Sequence, residues 1–201
     1  KRSNLFKLIL ENKVDKVVEG ASLVMAGNSY LQDYASSLNR ETTIFPTVLD
    51  TDRYQSTSNN NSDKLIIGWI GSPSTAPYLK TLIPSLSQLG LEGKVLLRVI
   101  GGKAPNIPNI EVEEIPWSEE TEVHYINSFD IGVMPLEDDE WSKGKCAFKL
   151  LQYMACELPV IASNVGANID VVSSDSGYLV DNDLAWIDAM RSLRDNPEQR
   201  S

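Results

Sequence analysis

The 201-residue chain sets 18 lysines and arginines against 28 aspartates and glutamates, for a formal net charge of −10, and 42 % of its residues are apolar. That apolar share is ample for a buried core and excludes a disordered chain, while the acidic balance argues against a nucleic-acid backbone as partner. No apolar run is long enough to span a bilayer and no signal-peptide pattern opens the chain, so the cytoplasm is the default compartment. The chain opens on Lys1 rather than Met, which reads as part of a longer protein. Cys146 and Cys156 are too few for a disulfide scaffold, and their spacing is expected to put them on different faces of one helix, which argues against a metal pair.

The first fifty residues differ from the rest. Lys13 to Gly20 is charged and amphipathic, Ala21 to Ala26 reads as a buried strand, Asn28 to Leu38 as a short helix, and Thr43 to Val48 as a strand ending near a proline. Gln55 to Asp63 is a polar, low-complexity connector, and a domain boundary belongs in or just before it. Residues 1–55 are thus one unit and residues 60–201 another.

Beyond the connector, apolar strands alternate with helical patterns. Strands are expected at Leu65–Ile70, Val95–Ile100, Ile110–Ile115, Asp130–Met134, Pro159–Ala162 and Gly177–Val180. Helices are expected at Tyr78–Leu89, Glu119–Phe129, Ala147–Cys156 and Leu184–Leu193. Near-continuous apolar strands in strict alternation with helices predict an α/β fold, a Rossmann-like doubly wound parallel sheet covered on both faces. In such sheets ligands bind outside the carboxyl ends of the strands, here the loops opening at Gly71, Gly101, Pro116, Pro135 and Ser163.

The stretch from Gly144 to Ala155 carries the most chemistry. A loop runs into a helix whose first turn is expected to bring Lys145 and Lys149 together, with Leu150, Leu151 and Met154 packing it onto the sheet. Unpaired N–H groups at a helix N-terminus, with the positive end of the dipole, suit an anion such as a diphosphate. An ordinary amphipathic helix with solvated lysines fits the same residues, and the residues alone leave both readings open.

The run Phe148-Lys-Leu-Leu-Gln-Tyr-Met-Ala-Cys-Glu-Leu-Pro-Val-Ile-Ala-Ser163, followed by Asn164-Val-Gly-Ala167, resembles the donor-binding segment of the retaining group 1 glycosyltransferases. Asp130-Ile-Gly-Val-Met-Pro-Leu136 resembles the strand and loop that precede it there, and Ala26-Gly-Asn-Ser-Tyr-Leu31 and Pro46-Thr-Val-Leu-Asp-Thr-Asp52 look like the family's passage out of its first domain. The resemblance covers nearly the whole chain in order. It implies the donor half of a GT-B fold with a small remnant of the acceptor-side domain, and sugar transfer from a nucleotide-sugar to an acceptor hydroxyl in glycan or cell-surface polysaccharide synthesis. A piece lacking the rest of the acceptor domain is expected to be inactive alone.

The resemblance also implies site residues. The donor-binding set is Gly71, Ser72, Trp117, Gly144, Lys145, Cys146, Ala147, Phe148, Lys149, Leu150 and Gln152, with Glu140 and Lys149 as the catalytic candidates. Backbone amides around Ala147 to Lys149 would meet the diphosphate. Gln152 stands where the family usually has a ribose-binding glutamate, and an amide can both accept from and donate to a hydroxyl. Gly144 stands where the family has a second glutamate, and Glu140 is the substitute within reach in sequence. The family's basic residues after the first strand of this domain are replaced by the hydroxyls of Gly71-Ser-Pro-Ser-Thr75 and by Lys80, while Arg98 is expected to point elsewhere. Trp117 and Glu119 fall in the base-binding loop, where Trp117 is either an aromatic wall for the base or a cap on the core.

Three other patterns carry less. Asp50-Thr-Asp52 could hold a divalent metal against a diphosphate, but it lies in the passage between domains, and the family binds its donor without such a metal; no metal or other cofactor is expected. Glu137 to Glu140 is a charge run of the kind that usually lines a solvated loop, and His124, the sole histidine, fits a structural position better than acid–base work. The expected partners are a nucleotide-sugar and a glycan or lipid-linked acceptor, with no nucleic acid and with peripheral membrane association through the absent domain, at the inner face of the cell membrane. The alternatives are a nucleotide-sugar epimerase on the same architecture, or a non-catalytic nucleotide-binding scaffold module.

Overall fold

The computed structural model describes residues 12–57 and 62–200, so residues 1–11 of the first unit and 58–61 of the polar connector lie outside the described residues. The first unit is a small βαβ arrangement. Helix α1 (Lys13–Gly20) leads to β1 (Val24–Ala26), α2 (Ser29–Leu38) and β2 (Thr42–Ile44), and the two strands pair in parallel. Asn28 caps α2 by accepting the Leu31 N–H at 2.8 Å, satisfying one of the donors a helix start leaves unpaired. The second strand is shorter than expected. Its last ladder bond is Phe45 N–H to the Ala26 carbonyl.

The second unit is a six-stranded sheet: β3 (Leu65–Ile70), β4 (Val95–Ile100), β5 (Glu111–Ile115), β6 (Ile131–Met134), β7 (Val160–Ser163) and β8 (Gly177–Val180). The spatial order is β5-β4-β3-β6-β7-β8, with every neighbouring pair parallel. The doubly wound parallel sheet read from the strand pattern is therefore the observed one. Strand order reverses at β3, so the crevice between β3 and β6 is the topological switch point where such sheets bind ligands.

Period-two alternation divides the core into two apolar layers. Ile67, Trp69, Val99, Ile131 and Val133 face α3 (Ile83–Glu92) and α8 (Asp183–Asp195), which contribute Leu86, Leu89, Met190 and Leu193. Ile66, Ile70, Ile100 and Met134 face α4 (Glu122–Ile126) and α6 (Phe148–Ala155), which contribute Ile126, Leu150 and Tyr153. On that second face Gly68 and Gly132 let the rings of Phe129 and Tyr153 lie against the sheet; a Cβ would come within 1.9 Å and 2.4 Å of them. Two short helices, α5 (Glu140–Lys143) and α7 (Asn168–Val171), flank α6 and β7.

Several elements differ from the sequence pattern. The helix expected over Tyr78–Leu89 is a 3-10 segment, Ala76–Leu82, continued by α3 as far as Glu92. Pro84 has no N–H for a bond back to Lys80, whose carbonyl instead takes the Ile83 N–H. The helix expected over Glu119–Phe129 contracts to α4, with Ser118 to Thr121 forming a turn stapled by their hydroxyls at 2.6 Å. Strand β5 is an edge: its glutamates are exposed and pair with Lys64 and Arg98, and such charges guard an unpaired strand edge. Lys145 lies in the loop before α6 rather than in its first turn. The cysteines do not share a helix: Cys146 precedes α6 and Cys156 caps its C-terminus.

Candidate functional site

A cavity of about 680 Å³ opens at the switch point, above the carboxyl ends of β3 and β6 and against the N-terminus of α6. Its opening follows from the sheet. Strands β3 and β6 pair only at Ile67–Ile131 and Gly68–Gly132, so β3 parts from its neighbour at its end. The Ile70 N–H freed by this parting donates to the buried Tyr153 hydroxyl at 2.9 Å, which keeps the open strand end satisfied.

Helix α6 forms the cationic wall. Its N-cap, Ala147, is 1 % exposed and adopts a left-handed φ of 54°, which turns the chain sharply into the helix. Among the described residues, the N–H groups of Ala147, Phe148 and Lys149 find no acceptor; the first inward bonds are those of Leu150 and Leu151 to the Ala147 carbonyl. Lys149 stretches across β3, its ammonium 5.7 Å from the Trp69 ring centroid, and a Cβ on Gly71 would crowd its stem at 2.9 Å. Burial, reinforced by the nearby Lys145 ammonium, depresses the Lys149 pKa to about 8. Lys145 donates to the Tyr78 hydroxyl at 2.8 Å and sits 4.0 Å from that ring's centroid. Neither lysine has a carboxylate within salt-bridge range among the described residues, whereas Lys143 is paired with Asp138. In a chain of net charge −10 the cavity thus concentrates unneutralised positive charge.

The opposite wall holds a buried carboxylate. Glu122, 5 % exposed, receives Arg53 Nη2 at 2.7 Å, the Tyr54 hydroxyl at 2.5 Å and Trp117 Nε1 at 2.6 Å. Gln152 Nε2 donates in turn to the Tyr54 oxygen at 2.9 Å.

Of the residues singled out from sequence, Gly71, Ser72, Trp117, Lys145, Cys146, Ala147, Phe148, Lys149 and Gln152 line the cavity together. Leu150 is fully buried in the layer beneath the sheet, and Gly144 closes the C-terminus of α5; neither lines the cavity. Glu140 is the exposed first residue of α5 and does not line it. Lys80 lines a separate shallow groove with Lys103, Arg98 is tied to Glu113 at 2.6 Å, and Glu119 is exposed and paired with Arg53. Asp50 and Asp52 lie outside the cavity, joined by the Asp52 N–H donating to the Asp50 carboxylate. Sequence reasoning missed Tyr54, Glu122 and Tyr78, and also Asn28, whose amide donates to the Lys143 and Lys145 carbonyls at 2.9 Å and 2.8 Å and pins the loop before α6 to the first unit. Only the cap position of Asn28 left a local signal.

The model of the family Glycosyl transferases group 1 matches residues 64–196. Among solved structures, Anabaena HepE (Alr3699) in complex with UDP-glucose superposes with a TM-score of 0.75 at 14 % identity, over 98 % of this chain and 60 % of that one. A glycosyltransferase of Rickettsia africae gives 0.69 at 13 % identity, over 97 % of this chain and 58 % of that one. The C-terminal domain of a group 1 family protein, LpcC of Francisella tularensis, gives 0.57 at 17 % identity, over 76 % of this chain and 91 % of that one. At such identities the likeness shows the fold alone, the Rossmann-like architecture of GT-B proteins. The chain spans about three fifths of the HepE length. No curated protein matches the sequence.

Proposed function

Since this chain belongs to the group 1 glycosyl transferases, we propose that its switch-point cavity holds the nucleoside diphosphate of a nucleotide-sugar, and that the chain is the donor-binding part of an enzyme passing that sugar to an acceptor hydroxyl. The observation that carries the reading is the pairing of two lysines lacking carboxylate partners with three free N–H groups at one helix start. Such a start favours anions by roughly 0.3–1 kcal/mol for an exposed charge, and more where the site is partly buried. As the bond between the anomeric carbon and the diphosphate breaks, charge grows on the leaving oxygens, and donors already aimed there lower the barrier without reorganising. The lysines and the helix terminus do this work here, with no divalent ion. That HepE has been seen with UDP and with UDP-glucose supports a nucleotide-sugar as the ligand class.

Transfer with retention, a glycan or lipid-linked acceptor bound by the further length that the HepE relatives carry, and a place at the cytoplasmic face of the membrane complete the reading. No described helix is long and apolar enough to cross a membrane. The test is a thermal-shift panel of UDP, GDP, ADP and their sugars, with and without magnesium. Stabilisation by one nucleotide, abolished by Lys149→Ala and indifferent to magnesium, is expected; no stabilisation by any of them would overturn the proposal.

A further inference from the structure

Five side chains from three segments meet at the wall of the cavity that Trp117, Glu122 and Gln152 line: Arg53 and Tyr54 from the passage between the units, Trp117 and Glu122 from the loop and helix after β5, and Gln152 from α6. Their hydrogens can be assigned without ambiguity. Guanidinium and indole nitrogens only donate, so both Glu122 oxygens accept: Oε1 from Arg53, Oε2 from Trp117. The Tyr54 hydroxyl has one hydrogen, and it goes to Glu122 Oε1. The Tyr54 oxygen is left as an acceptor only, and Gln152 must turn its NH2 toward it. Reversing that amide would set two acceptors face to face and strand a buried group. Gln152 Oε1 is therefore held away from Tyr54, without a protein partner among the described residues, on a side chain that lines the cavity.

We infer that Tyr54 and Glu122 are positioning residues that set the nucleoside specificity of the cavity. They present Gln152 Oε1 as an acceptor for a ribose hydroxyl, and they hold Trp117 with its N–H already engaged, so that only its ring is offered to the base. The inference rests on the reading of the cavity as a nucleoside diphosphate site. It accounts for a glutamine working where a carboxylate would need no orienting: a carboxylate accepts from either oxygen, whereas an amide accepts from one and must be turned.

The test measures binding of UDP, 2′,3′-dideoxy-UDP and inorganic pyrophosphate to the chain and its variants, with the GDP or ADP pair if that base binds better. The wild type should favour UDP over the dideoxy analogue by about tenfold, the cost of leaving a buried acceptor unpaired. Tyr54→Phe keeps the ring but frees the amide to turn, and should cut that preference to below about threefold while pyrophosphate binding stays the same. In the Gln152→Ala background, Tyr54→Phe should change the preference no further, because it acts through Gln152. A preference that survives Tyr54→Phe, an equal loss of UDP and pyrophosphate binding, or additive effects of the two substitutions would each overturn the inference. Absence of binding by any nucleoside diphosphate in the wild type is a separate result, and overturns the reading of the cavity itself.

Discussion

Lys149 shows at the residue scale what an unpaired charge costs the fold. Its half-buried ammonium lines the cavity with Lys145 nearby and no carboxylate in salt-bridge range among the described residues, and its pKa falls from 10.5 to about 8. Below about pH 8 the folded and unfolded chains both carry the proton and the full penalty is felt. Between about 8 and 10.5 only the unfolded chain still holds it, so this group's destabilisation fades as pH rises. At 1.36 kcal/mol per pKa unit the penalty is on the order of 3 kcal/mol at neutral pH. Lys149→Met, which keeps the stem and drops the charge, should accordingly raise the melting temperature at pH 7 by roughly 6–12 °C. The gain should shrink toward pH 10.5 in calorimetry, and an unchanged or lowered melting temperature at pH 7 would count against an uncompensated charge. A bound diphosphate supplies the missing partner, so titration calorimetry should find nucleotide affinity weakening from pH 7 to pH 9 as the free lysine loses its proton.

At the scale of the element, the start of α6 depends on a backbone turn that few side chains tolerate. Ala147 sits in the left-handed region with its methyl buried, and the free N–H groups of Phe148 and Lys149 that follow owe their direction to that turn. A β-branched residue there meets both the backbone conflict and a filled space. Ala147→Val should lower unfolding free energy by about 2 kcal/mol or more in urea titration and remove nucleotide stabilisation. Ala147→Gly, free of the Cβ conflict, should stay near wild type because relief of strain offsets the added freedom of the unfolded chain. Equal effects from both substitutions would show that the left-handed turn does not matter.

At the scale of the molecule, the first unit is tied to the sheet by few but buried contacts. Asn28 grips the loop before α6, and Tyr54 enters the layer on the α6 face of the sheet. The six-stranded sheet holds both apolar layers, apart from Tyr54 and the half-buried Leu49, within residues 62–200. A fragment of those residues should therefore unfold in one cooperative step, at a lower temperature than the longer chain. Its nucleotide affinity should fall about fivefold or more, because Gln152 and the loop before α6 lose the groups that hold them. A fragment that is unfolded by circular dichroism would mean that the first unit is integral to the core.

The sequence by itself determined the parallel sheet and the end of it where the cavity opens. Buried parallel strands must be apolar throughout, helices must carry an apolar stripe, and both periods are local properties legible in runs such as Leu65–Ile70 and Phe148–Ala155. It also brought out the stretch from Lys145 to Gln152, since a helix start with lysines is a local pattern. What only the tertiary structure decided lies between segments distant in the chain. That Lys149 is half-buried in the cavity wall and Lys80 turned to another groove, that Glu140 stands clear of the cavity, and that Glu122 rather than Glu119 faces it depend on how the loops close over the sheet. Tyr54 and Gln152 are 98 positions apart, and no periodicity records such a hydrogen bond. The reason is physical: amphipathic period is imposed by one element's own geometry, whereas the polarity of a buried hydrogen-bond chain is fixed only when all its members are brought together and every donor must find an acceptor.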